Sequence, residues 1–450
     1  MKLKNYLYTF IVFIYQNNLE NIKYIGICQL NSINQSLYFC LYTLSKNLIA
    51  SNANVIKLII FIKPIKHLTI LASYDNLHEV IYLDNAATTF LDKKASEIYS
   101  KYACEFFYNP SAIYREGALI QNEIDWVRNI IKKQIGASEG DIIFTSGATE
   151  SNNLALRGVY KKSFGKILVF MGEHPSVYNT ALKMQELGAN VEFIAIDKNG
   201  EIDYEDLKQK IDETVSLISV MLVSNETGAI NDLKKIYDLK QSICPNAIFH
   251  TDAVQGFGKV KINVEYFGVD LLTISGHKIF GPKGIGALWV KDKKILHQVV
   301  FGGGQEYNLR SGTLNVPAII ALGEVVNNFD NITENFEYVS KLKNEFLSQL
   351  KCDYTINGGN NPYILSISFD GVNGETLTSM MQEKGILISR GSACSSKKAG
   401  NRILEGMGKS KKQVLGSVRI SFSKYNTNCE VKYAAEVLND CYFSLVNKLK

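Results

Sequence analysis

Six unbroken apolar runs constrain this chain's fold more than any other feature. "KILVFMG" (166–172), "VEFIAID" (191–197), "SLISVMLVS" (216–224), "AIFHTDAV" (247–254), "DLLTIS" (270–275) and "GALWV" (286–290) lack the alternation of a strand with one wet face. They read as strands buried on both sides. Between most of them lie amphipathic helical patterns, "SVYNTALKMQELG" (176–188), "DYEDLKQKID" (203–212) and "DLKKIYDLKQSIC" (232–244). Strand and helix in regular alternation define an α/β protein whose mostly parallel sheet is sandwiched by helices. Such sheets bind ligands beyond the carboxyl ends of their strands. The chemistry is therefore expected just after these runs.

The residues found there are polar. "FTSGATESNNLAL" (144–156) ends an apolar run in Ser-Gly-Ala-Thr and enters a helix, so Ala148 and Thr149 stand where free N–H groups and hydroxyls can hold a phosphate; Ser and Thr also cap helices with no ligand. "FHTDAVQGFGK" places Asp252 and Gln255 after one strand, and "TISGHKIFGPKGIGAL" places Ser275, His277 and Lys278 after the next. Lys278 has two readings, a structural partner for Asp252 or a partly desolvated amine that captures an aldehyde cofactor. Pyridoxal 5'-phosphate (PLP) needs that lysine, a carboxylate to keep its ring nitrogen protonated, and a phosphate cup. Lys278, Asp252 and the Ser-Gly-Ala-Thr turn supply all three. Separately, "RGSACSS" (390–396) sets Cys394 among small polar residues that offer it little to pack against, which points to reactivity.

Nine stretches in order, "YLDNAATT" (82–89), "NPSAIYREG" (109–117), "TSGATESNN" (145–153), "GEHPSV" (172–177), "SNETGAI" (224–230), "HTDAVQGFGK" (250–259), "SGHKIFGPKGIGAL" (275–288), "GGGQEYNLRSGTLN" (302–315) and "RGSACSS", resemble the cysteine desulfurases of the NifS/IscS type, within the class V aminotransferase group on PLP fold type I. The resemblance covers residues 81–450. It implies that Lys278 carries PLP, Asp252 faces the ring nitrogen, and His174 stacks on the ring as an acid or base, although a histidine starting a helix needs no such role. Gln255 would reach the ring hydroxyl and Asn225 the substrate or cofactor edge. Ala148, Thr149, Ser275 and His277 would hold the phosphate, joined by Thr313 from the other subunit of a homodimer. Arg419 would clamp the carboxylate of L-cysteine. Cys394 would take its sulfur as a persulfide, leaving L-alanine, and hand it to an acceptor protein for iron–sulfur cluster assembly or for tRNA or thiamine thiolation.

Departures from the family pattern are Tyr114 in "NPSAIY", Phe90 after "ATT", "QEYNLR" before Ser311, and Arg390 before "GSAC". None removes a catalytic group. Lys397 and Lys398 beside the thiol read as charges that lower its pKa or meet an acidic partner, or as solvated loop charges with no such function. The implied architecture is a large domain at 92–318 and a small one combining 81–91 with 319–450. Two alternatives stay open: a selenocysteine lyase or aminotransferase of the same fold, and a non-catalytic sulfur-trafficking scaffold. Cys394 argues against an aminotransferase, and retention of Lys278 with Asp252 argues against a scaffold.

Residues 1–80 differ in kind, crowded with Asn, Ile, Tyr, Leu and Lys and holding a single glycine, Gly26. They read as a targeting segment, as upstream sequence from a wrong start, or as an added element. "YLYTFIVFIY" is too short to span a bilayer. The net charge of +5 is not gathered into a block, so neither nucleic acid nor membrane is expected as a partner. The eight cysteines show no CxxC pair, which suits reduced thiols and a cytoplasmic setting, or an organellar one should residues 1–80 prove a targeting segment. No metal site is expected.

Overall fold

The computed structural model describes residues 80–160, 165–329, 331–390 and 401–449, together with four backbone strands before them. The chain divides into two units, Met1–Val80 and Ile81–Lys450. In the first, β1 (Tyr8–Tyr15), β2 (Ile22–Leu30), β3 (Ile56–Ile60) and β4 (Ile70–Tyr74) form an antiparallel sheet in the order β2-β1-β3-β4.

The second unit opens with β5 (Ile81–Tyr82) and is built on a seven-stranded sheet. Its strands are β6 (Asp141–Thr145), β7 (Lys166–Phe170), β8 (Val191–Ile194), β9 (Val215–Ser219), β10 (Ile248–Asp252), β11 (Leu271–Ser275) and β12 (Gly286–Val290), in the order β6-β12-β11-β10-β9-β7-β8. The pairs from β11 to β8 are parallel, whereas β12 runs antiparallel to both neighbours. Only residues 276–285 separate β11 from β12, too short a return for the helical crossover that a parallel pair requires.

Both faces of this sheet are covered, and the strand period of two shows it. Leu168 and Phe170 of β7 join one apolar cluster, with Phe249, Ile274 and Trp289; Ile167 and Val169 join another, with Leu217, Leu271 and Leu288. On the first face lies α1 (Arg115–Gln134), whose Ile120, Ile124, Val127 and Ile131 recur at helical spacing. On the second lie α2 (Ala148–Val159) and α3 (Pro175–Glu186), through Leu154, Leu156, Val177 and Ala181.

The run 216–224 is strand only as far as Ser219. Beyond it the Val220 and Leu222 N–H groups still donate to the carbonyls of His250 (3.1 Å) and Asp252 (3.0 Å), and Val223 bridges to Ile230. The apolar residues stay buried while the chain curls into the turn that carries Asn225.

A separate apolar cluster joins Ile81, Leu83 and Ala86 to residues between Val339 and Tyr442. It surrounds an antiparallel sheet of β13 (Tyr354–Ile356), β14 (Ile364–Phe369) and β16 (Ser417–Ser421); β15 (Ile386–Leu387) pairs in parallel with β5. Among the described residues no helix is long and apolar enough to cross a membrane, and no group of His, Cys, Asp or Glu could hold a metal ion.

Candidate active site

The ends of β6, β10 and β11 and the loop after β7 open onto one cavity of about 750 Å³, lined by Ala148, Thr149, His174, Asn225, Asp252, Gln255, Ser275, His277, Lys278 and Arg419. Lys278 closes the single helical turn Gly276–Lys278 that follows β11. Its Nζ donates to the carbonyls of Ala86 (2.7 Å) and Ala87 (2.6 Å). Burial, and secondarily the charge of Arg419, lowers its pKa to about 8, against the pull of Asp84, Asp252 and Glu226.

Asp252, the last residue of β10, is 4% exposed. Its Oδ1 accepts the Val254 N–H (3.0 Å), and its Oδ2 accepts Asn152 Nδ2 (2.7 Å). Lys278 and Asp252 make no ion pair with each other; the carboxylate is held by neutral donors and the amine by backbone carbonyls. Gln255 donates from Nε2 to the Ala86 carbonyl (2.9 Å), and its Oε1 accepts from Lys259 (3.1 Å), whose buried amine has its pKa lowered to about 7 by desolvation.

His174 caps α3, with Pro175 in the first turn. Its Nδ1 accepts the Ser176 N–H (3.2 Å) and lies 2.8 Å from Ser176 Oγ. Burial pushes its pKa down, opposed by Asp252. The preceding Glu173 is fully buried, and desolvation followed by the charge of Asp252 pushes its carboxyl well above the usual range. Arg402 donates to the carbonyls of Met171 and Glu173 (2.7 Å to the latter) and lies over the Tyr178 ring at 3.7 Å.

At the other end of the cavity the chain turns from β6 into α2 through Gly147. A Cβ built at Gly147 or Gly284 would meet no atom within 4 Å, so both leave open space at the helix N-terminus. Gly286 supports that turn: a Cβ there would lie 2.7 Å from Gly147 backbone atoms. Glu150 accepts from Ser146 N–H (2.8 Å) and Oγ (2.6 Å) and is gripped by Arg310 (2.6 Å). His277 pairs with Thr88 Oγ1 (3.1 Å), and burial followed by the charge of Lys278 lowers its pKa to about 4, so it acts as a neutral group at pH 7. Thr313 does not reach this cavity; it is exposed and lines a separate one of about 140 Å³ with Ser146, Gly284 and Arg310.

On the small sheet, Arg419 of β16 donates to Asp84 (2.9 Å), the Asn225 carbonyl (2.9 Å) and Ser389 Oγ (3.3 Å). Cys394, with Lys397 and Lys398, lies outside the described residues. In the divergent "QEYNLR" segment, Glu306, Tyr307 and Asn308 all adopt left-handed backbone angles, and the Glu306 carboxylate is fixed by Arg128 and the Phe144 N–H (2.7 Å). Asn308 suits such a position better than most side chains do.

The residues suit a group with a phosphate and a flat polar ring. Open backbone at Gly147 and Gly284 leaves room for an anion at a helix N-terminus, and the buried Asn225 Oδ1 and Arg419 Nε are without partners. The reading from sequence did not name Asn152, Ser176, Glu173, Glu150 or Arg310 individually. Of these, Asn152 carried a signal: it lies one helical turn after Ala148 and so shares its face.

A parallel α/β sheet with a lysine and a carboxylate at the ends of adjacent strands is the architecture of the fold-type-I transferases. The family model "Aminotransferase class-V" matches residues 81–433. The cysteine desulfurase IscS of Rickettsia bellii is 37% identical over 390 residues, 84% of this chain and 93% of that protein. A solved NifS-like protein superposes with a TM-score of 0.76 at 30% identity, covering 81% of this chain and all of that one. SspA, solved in complex with cysteine, gives a TM-score of 0.69 at 31% identity over 77% of this chain and all of its own. The chain belongs to the class-V aminotransferase family and, within it, to the cysteine desulfurases.

Proposed function

We propose that the enzyme uses PLP to convert L-cysteine to L-alanine and collects the sulfur on Cys394. The observation that carries this reading is the convergence of Lys278 and Asp252 on one cavity beside the open Gly147 turn. When bound there, PLP supplies an electron sink that weakens bonds around the substrate's α-carbon. Asp252 faces the ring nitrogen and holds its proton, and the Asn152 and Val254 donors keep the carboxylate aimed. Lys278 carries the cofactor and moves protons at the substrate carbon; its lowered pKa makes the neutral amine available near physiological pH. Gln255 meets the ring hydroxyl.

Ala148, Thr149, Ser275 and His277 hold the phosphate, with Thr313 serving the site of the other protomer in a homodimer. The exposure of Thr313 away from its own cavity supports that sharing. Arg419 and Asn225 hold the substrate carboxylate, and the solved cysteine complex of SspA supports L-cysteine as that substrate. The Cys394 thiolate attacks the substrate sulfur: an S–S bond forms, the C–S bond breaks, and its electron pair stays on carbon, which takes a proton to become alanine. An acceptor protein then takes the sulfur for iron–sulfur cluster assembly or for tRNA or thiamine thiolation.

The apolar cluster joining Ile81, Leu83 and Ala86 to the C-terminal sheet supports a large domain at 92–318 and a small one made of 81–91 with 319–450. Cys104, Cys244, Cys352, Cys429 and Cys441 are free thiols, which supports work in a reducing compartment such as the cytoplasm.

The purified protein, supplied with PLP, is expected to turn yellow, and borohydride should fix the cofactor on the peptide containing Lys278. Protein that stays colourless, or label on another lysine, refutes the assignment.

A further inference from the structure

The hydrogen bonds around Asp252 form a directed chain that ends on His174. Each donor and acceptor in it can be assigned without seeing a hydrogen. The Asp252 carboxylate only accepts, so the Asn152 atom 2.7 Å from its Oδ2 must be the amide nitrogen; the reverse amide would face oxygen against oxygen. That nitrogen also lies 2.8 Å from Ser176 Oγ, and having no lone pair to offer it donates there too. Ser176 Oγ therefore accepts from Asn152, and its own proton is free for the His174 Nδ1, 2.8 Å away. The Ser176 N–H points at the same Nδ1 from 3.2 Å. Two donors converge on one ring nitrogen.

We propose that Asn152 and Ser176 are positioning residues that lock neutral His174 as the tautomer with its proton on Nε2. A proton on Nδ1 would face the Ser176 N–H and turn the hydroxyl away. The nitrogen that His174 leaves for the cavity is thus a hydrogen-bond donor in the resting protein. Lys278, not His174, is then the base of the site. The charged groups that bear on the ring are Asp252 and Glu226, which favour its protonation, and Lys278 and Arg402, which oppose it. The chain of donors runs between protein groups only, so it exists with or without cofactor. Its consequence for turnover rests on the proposed desulfurase reaction; the tautomer itself does not.

The test is nitrogen NMR of the full chain labelled with 15N-histidine, measured with and without PLP. The chain holds six histidines, so His174 is assigned by the signals missing from His174→Gln. The expected spectrum at neutral pH has His174 protonated on Nε2 and bare on Nδ1. In Ser176→Ala a population protonated on Nδ1 should appear, and the pH at which the His174 nitrogen signals titrate should move up by about one unit, since removing a donor to Nδ1 eases protonation there. Ser176→Thr, which restores the hydroxyl, should return both readouts toward wild type. Asn152→Ala should shift them in the same direction, and it tests the chain independently if Ser176→Ala does not fold. Wild-type protein carrying its proton on Nδ1 overturns the proposal, as does a folded Ser176→Ala or Asn152→Ala whose His174 tautomer is unchanged. If the tautomer shifts as expected but no alanine forms from cysteine, the proposed reaction fails and the positioning role stands.

Discussion

Lowering the pH separates a buried, pre-activated Lys278 from an ordinary lysine. Its pKa of about 8 against the 10.5 of an ordinary lysine means that far below both values the neutral fraction exceeds that of a free lysine by about 10^2.5, or roughly 300-fold. The sign follows from the cause: burial penalises the charged form, so the fold enriches the nucleophilic neutral amine, and the advantage is present below pH 8 and vanishes above 10.5. At pH 7 the neutral fraction is about 9%, at pH 8 about half, and at pH 9 about 90%, whereas a free lysine at pH 9 is only about 3% neutral. The advantage over free lysine therefore falls from roughly 300-fold at pH 7 to about 30-fold at pH 9. The assay is the rate of PLP capture by cofactor-free protein, followed by absorbance and fixed with borohydride. Each rate is divided by that of a blocked lysine in solution, which cancels the titration of the aldehyde itself. The ratio should drop about tenfold between pH 7 and pH 9. A ratio flat across that range would mean that Lys278 titrates like a surface lysine, and the argument from its burial would be wrong.

Three further outcomes follow. Gly286→Ala puts a Cβ 2.7 Å from the Gly147 backbone, and relieving that overlap displaces the phosphate turn at about 1–3 kcal/mol; PLP affinity should fall by tenfold or more, measured by cofactor titration alongside a melting curve. Cys394→Ala should still bind cysteine, because Lys278, Asp252 and Arg419 are intact, while sulfide and persulfide formation collapse; alanine production at the wild-type rate would remove the thiol from the mechanism. A chain beginning at Asn76 should dimerise and bind PLP like the full chain, since the second unit begins at Ile81, and aggregation or loss of cofactor on truncation would make the first unit part of the enzyme's fold.

The parts of this site legible in the sequence are those whose chemistry is declared locally. Asp252 closes one buried strand and Lys278 follows the next, and strand ends in a parallel sheet are where ligands sit. Asn152 looks like one more polar residue in a helix's first turns, and only the packing of α2 against the sheet brings it to a carboxylate 100 positions away. Ser176 reads as a residue of a helix start until its hydroxyl is seen between His174 and Asn152. Glu173 lies in the quoted "GEHPSV", but nothing in that stretch announces that Arg402, from after the cysteine segment, donates to the Met171 and Glu173 carbonyls. For the fold, the alternation of runs and helices foretold the sheet, while the direction of β12 was set by the length of a loop and not by any feature of "GALWV" itself.

The most direct test of the central claim is the stoichiometry of products from L-cysteine. Purified protein with PLP and a thiol reductant should release L-alanine and sulfide in equal amounts, without an added keto acid. Lys278→Ala and Cys394→Ala should both lose that output. Formation of a keto acid in place of alanine, alanine without sulfide, or full activity in Cys394→Ala would contradict sulfur transfer through Cys394.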